Sequence, residues 1–563
     1  MSTEPTVTTT GSTTIEGTAV VPGVGYAPAA WTRPRPTVPA EAPAVAEDAR
    51  DAEVARFQAA AQTVAGRLTA RAERATGAAA EVLGATAALA QDRGWLRAAT
   101  KAMRAGTPAP QAALAATEQF VAAFEKLGGL MAERATDLRD IRDRVVAELE
   151  GLPEPGVPTP REPVVLLAED LAPADTAGLD ATLIVGLVTS LGGPTSHTAI
   201  IARQLGIPCV VAAAGIREVA EGEPVLVDGA AGTLTVGADP EAARAAVTAD
   251  AERRDAVRRW KGPAATSDGV RQQLLANVGD GAAARKAAGG QAEGVGLYRT
   301  ELGFLSAEKE PSVEEQAAMY QEVFAAFGGK KVVVRTLDAG SDKPLRFANL
   351  EHEDNPALGV RGIRIAEREE GLLTRQLDAV AVAARAADAA EPWVMAPMVA
   401  TVPEAARFAE LARERGIVPG IMVEVPSVAL LAAHFLEHVD FLSIGTNDLS
   451  QYTMAADRLS PHLAALTDAW QPAVLTLVAL TAAAGAEAGK PVGVCGEAAA
   501  DPTLACVLTG LGVTSLSMAS SAIPAVGARL ATVTLAQCQE AGRAVLAAPD
   551  SRAARAEAAR ILG

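Results

Sequence analysis

The segment Gly192-Gly193-Pro194-Thr195-Ser196-His197-Thr198-Ala199-Ile200-Ile201-Ala202-Arg203 delivers a histidine through a glycine-rich turn to the start of a helical pattern. A glycine pair lets backbone come close to a ligand. The first amides of a helix have no internal partners, and with the helix dipole they favour an anion. A histidine placed there could accept a phosphoryl group on a ring nitrogen while nearby amides hold the phosphate oxygens. Read alone, the segment fits equally a polar N-cap with a partly buried histidine.

A second set of chemically capable residues lies further along the chain. Arg299 follows an apolar run at 294–298, and Arg335 lies in Val332-Val333-Val334-Arg335-Thr336. Glu424 ends Ile421-Met422-Val423-Glu424, and Asn447 and Asp448 follow a run at 441–446, with Arg458 beyond them. Cys495, Gly496 and Glu497 follow the run that starts at Pro491. Arginine is always charged and can grip phosphate or carboxylate with two donors. Paired carboxylates such as Glu424 and Asp448 can hold Mg²⁺, which takes a few oxygen ligands plus substrate phosphate. Arginines with a metal ion answer the spread charge of phosphoryl transfer. A thiol is mostly protonated at neutral pH, so Cys495 could serve as an acid or as a nucleophile. Taken singly, each arginine or glutamate fits a salt bridge, and Cys495 fits a small buried apolar residue. His434 and His438, four apart on a helical pattern, read as a solvated face.

These groups need a scaffold, and 563 residues suggest three or four domains. Hydrophobic residues make up 49% and aromatics 3%, so the cores must be built from Ala, Val, Leu and Ile. The net charge of -18 argues against nucleic acid and suits docking to a smaller basic or neutral protein. Cys209, Cys495, Cys506 and Cys538 form no CxxC pair, so neither zinc nor a disulfide framework is expected. Without a signal-like N-terminus or a long uncharged apolar run, the chain reads as a cytoplasmic protein with no membrane insertion.

Residues 1–14, polar and Thr-rich, read as a disordered tail. Residues 15–35 together with 152–237 read as a small α/β unit. It is interrupted at 36–151 by an all-helical insertion, where Val54, Phe57, Ala61, Val64 and Leu68 recur at helical spacing. A charged helix and hinge fill 238–268. From 269 to 563, apolar strands alternate with helices and no GxGxxG fingerprint occurs, which predicts a (β/α)8 barrel. Strands are expected near 274–278, 294–298, 332–336, 394–398, 421–425, 441–445, 491–495 and 515–518. Barrel enzymes place chemistry at the carboxyl ends of the strands, so the second set of residues should converge on one mouth.

The ordered motifs resemble those of the enzyme I family of the phosphoenolpyruvate:sugar phosphotransferase system, from about residue 16 to the C-terminus. Besides 192–203, the resemblance rests on Gly294-Val295-Gly296-Leu297-Tyr298-Arg299-Thr300-Glu301, Val334-Arg335-Thr336-Leu337-Asp338, Asn355-Pro356-Ala357-Leu358-Gly359-Val360-Arg361-Gly362-Ile363-Arg364, Met422-Val423-Glu424-Val425-Pro426, Ser443-Ile444-Gly445-Thr446-Asn447-Asp448-Leu449 and Val494-Cys495-Gly496-Glu497. It implies that His197 carries the phosphoryl group and that Arg299 and Arg335 bind the phosphate of phosphoenolpyruvate. It also implies Mg²⁺ on Glu424 and Asp448. Asn447, the Asp448 backbone and Arg458 would orient the substrate carboxylate, and Cys495 would protonate the enolate carbon. Thr176 matches a position near the active histidine. The helical insertion would dock the phosphocarrier protein HPr, and the barrel would form a homodimer. Pro194, Ser341 and the loop 466–472 depart from the family pattern. The competing readings are an enzyme like phosphoenolpyruvate synthase or pyruvate phosphate dikinase, for which no ATP-binding domain is visible, and a non-catalytic phosphoenolpyruvate sensor.

Overall fold

The chain divides into two units, residues 1–253 and 254–563. The computed structural model describes residues 6–7, 11–40, 42–74, 78–127, 130–158, 160–171, 179–193, 196–305, 307–340, 347, 353–389, 391–458 and 460–563. The first unit opens with strands β1 (Thr6–Val7), β2 (Thr13–Glu16), β3 (Thr18–Val21) and β4 (Val24–Trp31). This corrects the expected tail at 1–14, because Thr13 and Thr14 pair with Val236 and Thr235, and β1 pairs with the same two threonines. Threonine is polar enough for a tail, but its branched Cβ suits a half-exposed edge strand equally well.

The helical insertion comprises Arg50–Arg74, Ala78–Leu89, Arg93–Arg104, Ala109–Leu127 and Leu130–Glu150. The helical-period residues Val54, Phe57, Ala61, Val64 and Leu68 all reach its core, where they meet Trp95, Leu138, Ile141 and Val145. Trp95 is fully buried, and its indole N–H donates to Thr117 Oγ1 at 3.0 Å, which satisfies its one polar atom. After this insertion come β5 (Val164–Ala168), β6 (Ile184–Thr189), β7 (Cys209–Val211), β8 (Pro224–Asp228) and β9 (Thr233–Val236). The strand order in the sheet is β1-β2-β9-β8-β4-β5-β6-β7-β3. On β5, Val165 and Leu167 face one apolar layer while Leu166 and Ala168 face the other. Both faces are therefore covered, which explains the unbroken apolar run.

In the second unit, β10 (Gln273–Val278), β11 (Val295–Arg299), β12 (Val332–Arg335), β13 (Trp393–Ala396), β14 (Val418–Val423), β15 (Phe441–Ile444), β16 (Val492–Val494) and β17 (Ser515–Met518) form a closed barrel. Every neighbouring pair is parallel, and β10 closes on β17 through Gln273 opposite Ser515. Strand periodicity separates two sets of side chains. Val332, Val334, Val394, Ile421 and Val423 join the large core shared with the helices, whereas Val333, Met395, Met422 and Cys495 meet in the barrel interior. The same alternation carries Arg335 and Glu424 inward at the carboxyl ends of their strands.

The barrel floor is aromatic. The rings of Trp393 and Phe441 lie 4.8 Å apart, and Lys331 Nζ sits 3.7 Å from the Trp393 centroid. Burial pushes the Lys331 amine down to about 8, while the ring faces partly compensate its charge. The Phe441 ring passes directly over Gly420, where a Cβ would lie 2.3 Å from a ring carbon. In the loop that departs from the family pattern, Trp470 is buried and its indole donates to Asp501 at 3.0 Å, so this tryptophan anchors the loop. Among the described residues, no helix is long and apolar enough to cross a membrane. Gly420→Ala is expected to cost about 1–3 kcal/mol of barrel stability by overpacking. Phe441→Leu on the same background is expected to recover part of that loss, and urea unfolding of the two variants measures it.

Candidate active site

His197 opens the helix His197–Leu205 in the first unit. Ser196 caps this helix, accepting from the Ala199 amide at 3.2 Å, and Gly206 ends it at φ 68°. Gly192 takes φ 91°, a conformation that L side chains rarely adopt, so the turn before the helix needs a glycine there. Thr198 Oγ1 donates to Asp170 Oδ1 at 3.1 Å and pins the first turn to the loop after β5. Pro194, Thr195, Thr176 and Ser341 lie outside the described residues.

In the second unit the carboxyl ends of the strands gather the remaining residues. Arg299 and Arg335 end β11 and β12 and are register partners on the last rung between them. Glu424 follows β14. Asn447 and Asp448 open the helix Thr446–Met454 that follows β15, and Cys495 follows β16. Arg299 is exposed and has no ion-pair partner among the described residues. Arg335 is buried, with Nη2 2.5 Å from Glu301 Oε1 and Nη1 3.1 Å from Asp338 Oδ2. Its Nε, like Thr446 Oγ1 nearby in sequence to Asp448, is buried with no partner among the described residues. Buried donors left open in this way are rare in folded proteins and suit a ligand that accepts from them.

Two residues without an assigned role in the sequence reading organise the mouth. Arg361, 1% exposed, grips Asp338 with Nε and Nη2 at 3.0 and 3.1 Å, and its Nη1 lies 3.0 Å from Asp448 Oδ1. Arg458 Nη1 takes the other Asp448 oxygen at 3.2 Å. Asp338 thus holds Arg335 and Arg361 together, and Arg361 extends the hold to Asp448. In the sequence they are marked by the family-like motifs that contain them, since a lone Arg and a lone Asp in loops have no periodicity. Asn447 Oδ1 accepts from the Glu497 amide at 3.2 Å, joining the loops after β15 and β16.

Burial works against the Arg335 and Arg361 charges, but the surrounding carboxylates outweigh it and raise both above the ordinary guanidinium value. Glu424 goes the other way. Burial, with the Asp338 and Asp448 charges adding, pushes its carboxyl up to about 8. Its Oε2 accepts from the Met398 amide at 3.0 Å. A buried carboxyl so raised, beside a second carboxylate, is a hard oxygen donor set whose ionised form a divalent cation would favour. Glu424 and Asp448 are the carboxylates here that could hold Mg²⁺, both Asp448 oxygens being taken by Arg361 and Arg458 in the present arrangement. Burial pushes the Cys495 thiol up to about 11, with Glu424 adding and Ser443, Arg335 and Arg299 opposing. The thiol stays protonated across the neutral range, which suits an acid rather than a nucleophile.

A barrel mouth with paired arginines, clustered carboxylates and a protonated thiol defines a site for a small phosphorylated anion. Family comparison agrees. Residues 253–535 match the PEP-binding domain of PEP-utilising enzymes, residues 160–232 their mobile domain, and residues 16–134 their N-terminal region. A phosphoenolpyruvate-protein phosphotransferase of Streptomyces coelicolor is 49% identical over 556 residues, covering 98% of this chain and 99% of its own. One from Haloferax volcanii is 43% identical, covering 77% of this chain and 78% of its own. A multiphosphoryl transfer protein of Rhodobacter capsulatus is 43% identical over 74% of this chain, which spans 52% of that longer protein. The chain belongs to the phosphoenolpyruvate-protein phosphotransferase family, enzyme I of the sugar phosphotransferase system, and is an enzyme.

Replacing Arg361 by Met takes the two-bond partner from Asp338, which keeps Arg335, and the buried partner from Asp448, which keeps the half-exposed Arg458. The expected cost is about 3–5 kcal/mol, read as a lowered urea midpoint of the barrel transition.

Proposed function

We propose that His197 takes the phosphoryl group of phosphoenolpyruvate at the barrel mouth, releasing pyruvate, and passes it to a histidine of HPr. The observation that carries this reading is the pairing of Arg299 with Arg335 on one rung, at the mouth that also holds the buried, protonated Cys495. In this reading Arg299 and Arg335 hold the substrate phosphate. Asn447, the Asp448 backbone and Arg458 orient its carboxylate. A ring nitrogen of His197 bonds to phosphorus as the bond from phosphorus to the enolate oxygen breaks, and the electron pair leaves with that oxygen. The Cys495 proton then goes to the methylene carbon, which completes pyruvate. Bound on Glu424 and Asp448, Mg²⁺ would supply positive charge against the developing enolate and the phosphate oxygens. The helical insertion at 36–151 is the docking face for HPr, and the segments near 151–162 and 237–268 let the histidine serve two sites in turn. The enzyme acts in the cytoplasm as a homodimer through the barrel.

Incubation with ³²P-phosphoenolpyruvate and Mg²⁺ should give base-stable, acid-labile label on the chain, and HPr should then remove it. Label on His197→Ala would overturn the assignment of the carrier. Cys495→Ala is expected to bind phosphoenolpyruvate while pyruvate release slows about 10²-fold or more; unchanged turnover would remove the thiol from the mechanism. Chelation of Mg²⁺ should stop labelling, and added Mg²⁺ should restore it.

A further inference from the structure

The Arg299–Arg335 rung is an electrostatic liability. Register partners on adjacent parallel strands stand about 4.8 Å apart, and both side chains leave the same face of the sheet. Two like charges carried on one rung repel unless an anion lies between them. Arg335 is steadied by Glu301 and Asp338, but these contacts act on its side chain. Something must also hold the backbone of the two strand ends.

Gln376 does so. It stands on the helix Glu370–Ala386 and is 2% exposed. Its Oε1 accepts from the Leu337 amide at 2.9 Å, while Nε2 donates to Thr300 Oγ1 and to the Tyr320 hydroxyl, each at 3.1 Å. The Thr300 hydroxyl in turn donates to the Arg335 carbonyl at 2.9 Å. Leu337 N–H can only donate, so the amide oxygen must face it, and both Nε2 protons are then committed. Thr300, accepting from Gln376, spends its own proton on Arg335. The outer arm ends with the Tyr320 hydroxyl donating to Gln316 Oε1 at 3.2 Å, and Gln316 Nε2 donating to the Pro311 carbonyl at 2.8 Å. Each proton on the inner arm has one destination, so the path admits one arrangement. It ties the residue after Arg299 to Arg335 itself and to the residue two past it.

We infer that Gln376 is a positioning residue for substrate phosphate: through Thr300 and Leu337 it sets the separation and aim of Arg299 and Arg335. The inference rests on the reading of those two arginines as the phosphate grip. It separates two roles within one network. The inner arm, through Thr300 and Leu337, reaches the backbone of the grip, whereas the outer arm, through the Tyr320 hydroxyl, leads away to Gln316 and Pro311; the Tyr320 ring, which packs edge-on to Tyr298 at 5.7 Å, is kept when only its hydroxyl is removed.

The test compares Gln376→Met, Thr300→Val and Tyr320→Phe in the full chain. The readouts are the initial rate of ³²P labelling against phosphoenolpyruvate concentration at fixed Mg²⁺, and the thermal midpoint. Gln376→Met should raise half-saturating phosphoenolpyruvate about tenfold, a loss the size of one or two hydrogen bonds, with the maximal rate changed much less. Thr300→Val, which keeps the side-chain shape, should do the same, and it carries the test where Gln376→Met does not fold. Tyr320→Phe should lower the thermal midpoint and leave half-saturation unchanged. Wild-type half-saturation in the two inner-arm variants would overturn the inference, as would an equal rise in Tyr320→Phe. A wild-type chain that takes no label would instead overturn the functional reading, and this inference with it.

Discussion

The mouth of the barrel depends on one buried carboxylate. Asp338 binds Arg361 through two parallel hydrogen bonds and Arg335 through a third contact, and Arg361 hands the connection on to Asp448. Remove that anion, and two buried guanidinium groups face each other with too little compensation. A buried ion pair gains little net energy over an apolar pair of the same shape, because desolvation takes back most of the Coulomb attraction. Its value is geometric. The planar forks accept few arrangements, so two parts of the connection after β12 and the helix after β15 take up fixed relative positions.

The charge arrangement follows from this. Asp338, Glu301, Glu424 and Asp448 stand against Arg335, Arg361 and the half-exposed Arg458. The excess of acid is felt most at Glu424, whose carboxyl rises to about 8 under burial and its acidic neighbours. Arg299, exposed at the rim, is left over on the positive side. In the reaction proposed above, the carboxylates would receive a divalent cation and the arginines a phosphorylated anion. The thiol beneath them is kept protonated by the same burial that makes the carboxylates costly. In the proposed mechanism, low dielectric would serve acid and electrostatic grip together.

The scaffold places glycines where close packing or a tight turn requires them. The interior is fitted by Gly420 beneath the Phe441 ring, and the Gly192 turn at φ 91° starts the approach to His197. Ordinary strands and helices do the rest. Buried amide chemistry at Gln376 then binds the outer helices to the strand ends, so packing far from the mouth constrains how the arginines stand.

The barrel strands were legible in the sequence because each is a short apolar run, and all eight expected runs overlap a strand of the closed barrel. The helical insertion was legible for the same reason, in the 3.6-residue period that buries Phe57, Val64 and Leu68. The N-terminal edge is not legible in the sequence, since threonines mark neither a core nor a turn, and only pairing with β9 makes Thr13 and Thr14 a strand. Residue types alone determined what chemistry the chain can offer: a histidine after a glycine turn, arginines, carboxylates and a thiol at strand ends. Tertiary structure decided which of these charges neutralise one another. Arg335 is spoken for by Glu301 and Asp338, whereas Arg299 faces solvent. It supplied the partners of Arg361, which lie 23 and 87 residues away at Asp338 and Asp448, and that of Gln376, which lies 76 residues away at Thr300. Composition and periodicity report on neighbours a few residues apart, while a buried charge or amide is satisfied by whatever the fold brings to it.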